Sequence, residues 1–167
     1  MTGVKELVYL LNEAFSGKGI EETNESQSLL VNLASVDEGL WRTPPPGGIR
    51  TVESIALHVG TCKLMYDEYA FGPGKLTWDD PHLQPWPEGK APMSKAISWL
   101  ETAHRRLVEH VAALNDEDLG SMRPANWGEL KETRWLISVL IQHDAYHAGE
   151  INHTRSLLTA NDTWKWG

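Results

Sequence analysis

From Met93 to Leu114 the chain spaces its apolar residues in a way that only a helix can bury. Met93, Ile97, Leu100, Leu107, Val111 and Leu114, with His104 among them, follow one another at intervals of three and four. Those intervals place side chains on one face of a 3.6-residue turn. The same period recurs through nearly the whole sequence, and no stretch alternates as a half-buried strand would. A chain patterned in this way must bury helix against helix, so the expected fold class is all-α.

The other helical segments are set off by breakers. A first carries Val4, Leu7, Leu11, Ala14 and Phe15 and stops near Gly17; a second carries Leu29, Leu30, Leu33 and Val36. The run RTPPPGGIR then ends helical structure, since proline lacks the amide proton and clashes with the preceding turn. Thr51 is placed to cap a helix that continues to about Ala70, with Thr51, Ile55, His58, Cys62, Met65 and Tyr69 on one stripe. Two long loops rich in Trp and Pro follow, at 72–92 and 115–131, and a last helix runs from near Glu132 to about Leu158. The expectation is a four-helix bundle with long inter-helix loops and a short additional N-terminal helix, one domain over residues 1–167.

Composition narrows the function. With 41% apolar residues, 167 residues suffice for one core. The net charge is −8, and the fifteen Lys and Arg are scattered. A duplex-binding surface needs clustered positive charge to displace counterions, so nucleic acid is not an expected partner. No apolar run is long enough to span a membrane, and residues 1–15 do not read as a signal peptide. The lone Cys62 excludes an internal disulfide and fits a reducing cytoplasm. Eight tryptophans are many for this length. Trp41, Trp78, Trp86, Trp127 and Trp164 fall in or beside loops and ends, where they either pin loops to the bundle or wall an apolar pocket.

The chemistry concentrates in HDAYHAGEINHTR, residues 143–155. With His143 at the origin of a helical wheel, His147 falls about 40° and Glu150 about 20° to either side, among Leu136, Val139 and Leu140. The pair is therefore expected at the centre of the core-facing stripe. Asp144 and Tyr146 are expected to project away from it, and His153 to lie at its edge. Two unpaired imidazoles in a core cost roughly 1–3 kcal/mol each. At i and i+4 they can instead converge on one cation. His58, mid-stripe on its own helix, is expected to face the interior and supply a third ligand, as facing helices of bundles do. His104 and Cys62 read as core residues, and Tyr66 as packing. Glu150 is open to three roles: ligand, proton-transfer group, or partner that orients a ligand.

The segments SIALHVGTCKLMYDEYAFG and LIQHDAYHAGEINHTRSLL resemble the DinB/YfiT-like metalloenzyme superfamily. Its pattern of one histidine in the second core helix and a His-x3-His pair in the last matches His58, His143 and His147, with Gly149, Ile151 and Arg155 in register. The resemblance runs from Leu10 to Leu158. It implies a bundle in which those three histidines hold a divalent metal, open to solvent, usually in a homodimer; imidazole ligands suit a transition metal such as Zn, Ni, Fe or Cu, and the sequence does not choose among them. Relatives include thiol-dependent enzymes such as bacillithiol transferases and the mycothiol-dependent maleylpyruvate isomerase, so a low-molecular-weight thiol is an implied cofactor. The expected function is metal-dependent chemistry on a small-molecule substrate, either thiol transfer or hydrolysis, with Glu150 as the catalytic residue. The alternative is a non-catalytic, metal-binding, stress-associated dimeric bundle. The long loops at 72–92 and 115–131 depart from the family pattern and leave the substrate open.

Overall fold

Thr2 accepts a hydrogen bond from the Lys5 amide and starts α1 (Gly3–Ser16), which ends where Gly17 turns into the left-handed region at φ 69°. In the computed structural model, residues 2–17, 27–83 and 92–163 are described. Ser28 caps the six-residue α2 (Leu29–Ala34). Thr51 caps α3 (Val52–Phe71) in a reciprocal arrangement with Ser54, which satisfies amides that the first turn would otherwise leave unpaired. α4 spans Met93–Ala112 and α5 spans Thr133–Thr159. Trp86, Trp164 and residues 84–91 of the first long loop lie outside the described residues.

The all-α expectation holds, with α2 as the short additional helix. α1 packs on α4 and α5, and α3 packs on the same two, so the long helices form a ring in the order α1, α5, α3, α4. Phe15, Leu33, Trp41, Ile55, Leu100 and Ile151 belong to the larger core cluster, and Leu11, Leu107, Val111, Ile137 and Leu140 to a second. The α3–α4 contact is close because Gly60 has no side chain. A Cβ there would stand 2.1 Å from the Trp99 ring. Of the loop tryptophans, Trp41 is fully buried and does pin its loop, whereas Trp78 and Trp127 remain exposed.

One element escaped the periodicity. Between α4 and α5, a 3-10 turn (Asp116–Gly120) leads into a hairpin of β1 (Met122–Pro124) and β2 (Leu130–Glu132). Strands of three residues are too short to display an alternating pattern. Arg123 ties the hairpin to the bundle by donating to the Ala70 carbonyl at 3.1 Å and to Thr133 Oγ1 at 2.9 Å.

Candidate metal centre

α3 and α5 run antiparallel, so that His58 meets His143 near one end and Ala70 packs with Leu136 towards the other. His143 Nε2 lies 3.2 Å from His58 Nε2 and 3.2 Å from His147 Nε2. Among the described residues, these three are the group whose ligand atoms, all within 4.8 Å of one another, could hold a metal ion. Two nitrogens bound tetrahedrally at 2.0–2.1 Å would stand about 3.3 Å apart, so the spacing suits a shared cation.

Their protonation suits it as well. Burial pulls His143 down to about 3, assisted by the neighbouring His147 and His58, and pulls His147 down to about 4, assisted by His58 and Arg50. His58 is lowered by burial and then by Arg50. All three are neutral near pH 7 and carry the lone pairs that a metal requires. The Glu150 carboxylate accepts from His147 Nδ1 at 2.6 Å. That contact puts the His147 proton on Nδ1 and leaves Nε2 a lone pair facing the other rings. Arg50 donates to the second Glu150 oxygen at 2.9 Å.

Three sequence-based placements need correction. His58 does not face the interior; it is exposed, on the rim of α3. His147 is buried, but His143 is only half-buried, so the pair lies at the border of the core-facing stripe rather than its centre. The buried face of α5 is centred on Leu140, Asp144 and Ile151, roughly 80° round the wheel from His143. Asp144, expected to project away, is fully buried, and its Oδ2 accepts from Lys63 Nζ at 2.6 Å with neither side chain exposed. A signal for it was present: Asp144 has Ile137, Leu140, Ile141, Ala148 and Ile151 at helical neighbour positions. Lys63 is similarly surrounded by Ala56, Val59, Gly60 and Ala70. Nothing in the sequence marked Arg50, which comes from the proline-rich loop.

His104 lies apart from the cluster, stacked on Phe15 at 3.8 Å between ring centroids and hydrogen-bonded to Asn12 Oδ1 at 3.1 Å. Cys62 is buried, with Sγ 3.7 Å from His58 Nε2, and burial pushes its thiol up to about 11. Glu150 is bound to the far side of the His147 ring, and Tyr146 and His153 are exposed.

The fold and site define a helical bundle with three histidines, at the edge between two helices, close enough together to hold a metal ion. The family model of the DinB superfamily matches residues 22–151, which include all three histidines and Glu150. The chain belongs to the DinB superfamily. No curated protein matches the sequence. Among the described residues, no helix is long and apolar enough to cross a membrane.

Proposed function

We propose that the chain is a metal-dependent enzyme acting on a small molecule, with His58, His143 and His147 as the metal ligands. The convergence of three neutral Nε2 atoms at the solvent edge of the bundle carries this reading. Three protein ligands leave a position for an exchangeable group, the arrangement of catalytic rather than structural sites. A divalent metal held there supplies Lewis acidity and brings the pKa of a coordinated water or thiol towards neutrality.

The chain's own residues divide the remaining tasks. Glu150 has one oxygen on His147 Nδ1 and the other on Arg50. Of its three open roles, this geometry favours orienting His147 over ligation or proton transfer. Arg50 in turn fixes the carboxylate from the loop that leads into α3. In the metal-free protein burial holds the Cys62 thiol up at about 11. In the transfer reading the thiolate comes from an added small thiol, and in the hydrolytic reading the nucleophile comes from water. Both chemistries fit the open position.

Elemental analysis after metal reconstitution tests the ligand set. About one divalent ion per chain is expected in the wild type, with most of it lost in His143→Ala or His147→Ala. Absence of metal in the reconstituted wild type would sink the proposal. Turnover of small electrophiles with and without an added thiol then separates transfer from hydrolysis.

A further inference from the structure

His58, Cys62 and Tyr66 succeed one another at intervals of four along α3, on the side facing α5. On antiparallel α5, Trp135 precedes His143 by eight residues, the separation of His58 from Tyr66. Tyr66 and Trp135 thus each lie roughly 12 Å from the histidines along their helix axes at 1.5 Å per residue, with Trp135 about 80° round α5 from His143. The hairpin turn reaches both. Trp127 meets Tyr66 edge-on, with ring centroids 5.8 Å apart at 66°, and meets Trp135 at 6.2 Å and 77°.

This aromatic end is fixed in place yet uncovered. Trp127 and Trp135 are 46% and 42% exposed, large apolar surfaces left facing water. The turn holding Trp127 needs Gly128, whose φ is +91°. Lys131 pairs with Glu129 at 2.9 Å and lies over the outer Trp135 ring at 5.4 Å. The Glu129 carboxylate is held low by Lys131 and by the Trp127 indole. Edge-to-face packing leaves the outer parts of the Trp127 and Trp135 rings half open. Such rings accept a further planar group in offset or edge contact.

We propose that Trp127, Trp135 and Tyr66 bind a planar, apolar tail of a molecule whose donor head sits at the three histidines. A cationic tail is not favoured, because the Lys131 ammonium already occupies the cation position over Trp135. The inference rests on the metal-site reading, so its test separates the two.

Cobalt-loaded protein is titrated with acetohydroxamic acid and with 6-phenylhexanohydroxamic acid, which share a metal-binding head and differ by a tail that spans about the 12 Å separation of histidines and aromatic rings. Binding is read from the visible cobalt spectrum and from tryptophan fluorescence. The phenyl compound should bind at least about tenfold tighter to the wild type, the change expected of one good aromatic contact plus apolar burial. Trp127→Ala should erase that gain and leave acetohydroxamate affinity unchanged. Trp135→Ala, on the exposed side of α5, provides a second variant, and circular dichroism checks that both fold. If acetohydroxamate perturbs the cobalt spectrum but the tail adds nothing, or if its gain survives both substitutions, the aromatic subsite is wrong and the metal site stands. If neither compound perturbs the spectrum, the metal reading fails and takes the aromatic subsite with it.

Discussion

His143 and Asp144 are neighbours on α5, yet they serve two polar clusters of opposite character. Asp144 points inward to Lys63 on α3, where both charges are wholly buried 2.6 Å apart. Lys63 also lies 5.1 Å from the Phe15 ring centroid, and Phe15 stacks on His104. This inner cluster is closed to solvent and its two charges pair with each other, while Asp144 Oδ1 and His104 Nδ1 are buried with no hydrogen-bond partner among the described residues. His143 points to the rim, where its Nε2 contacts two other imidazole nitrogens that are also neutral. Both contacts converge on His143 Nε2, which carries either one proton or one lone pair and so can complete only one of them as a hydrogen bond. The same two helices therefore carry one charge pair formed wholly within the protein and one cluster of nitrogens close enough together to hold a metal ion. The inner pair sets how α3 and α5 meet, and the outer cluster uses that alignment.

The largest effect is expected from breaking the inner pair unevenly. Lys63→Met leaves the Asp144 carboxylate buried without its cation and should cost about 3–5 kcal/mol. Burial already pushes Asp144 upward in pKa against the pull of Lys63. Lys63→Met combined with Asp144→Leu should recover most of that loss, because well-packed apolar residues often replace a buried ion pair at no net cost. Urea unfolding of the single and double variants measures both. A single-variant loss below about 1 kcal/mol would mean that water reaches the pair.

The two clusters were also unequally legible in the sequence. The period of three and four gave the long helices, and Thr51 and Gly17 bounded them as caps should. The His-x3-His spacing with His58 gave the three residues that come together. Their burial was misplaced because the wheel was centred on His143, whereas the apolar neighbours of Asp144 mark the true inward face. A charged residue inside an apolar stripe is easily taken for a solvent-facing interruption, since the stripe does not reveal a partner eighty-one residues away. The hairpin was hidden by its brevity, and Arg50 by its loop.

Removing the metal should sharpen the contrast from the other side. The core clusters and the Lys63–Asp144 pair do not involve the three histidines, so the metal-free bundle should keep its far-UV circular dichroism after chelation. Bound metal should add about 3–4 kcal/mol when free metal is a hundred to a thousand times its dissociation constant. Loss of most helical signal on chelation at about 25 °C would make the site structural, as in domains whose folding energy is metal-binding energy.

Glu150→Gln touches only the outer cluster. An amide can still reach His147 Nδ1 but is a weaker acceptor than a carboxylate and no longer pairs with Arg50. Metal affinity should fall about 10–100-fold, while the unfolding midpoint of the metal-free protein stays unchanged. Competition with a chromophoric chelator measures the first and urea unfolding the second. An unchanged metal affinity would return Glu150 to the proton-transfer role.

The smallest effect concerns His104, the inner cluster's own histidine. Burial, assisted by the Lys63 charge, pulls it down to about 2, against about 6.5 in an unfolded chain. Between those values the unfolded state binds a proton that the folded state refuses. Stability must therefore fall as pH drops below about 6.5, by up to about 1.4 kcal/mol per pH unit for a fully buried group. His143 and His147 are also lowered in the metal-free protein, but both are nearer solvent, and they add the same slope to any variant that retains them. Comparing chelated wild type with chelated His104→Gln between about pH 6.5 and 5 cancels their share. Glutamine can still donate to Asn12 but does not titrate. The variant should be less stable at pH 7, since it loses the stack on Phe15, and its stability should fall less steeply in acid. Equal slopes would mean that His104 takes up its proton in the folded state, with the inner cluster opening to water to admit it.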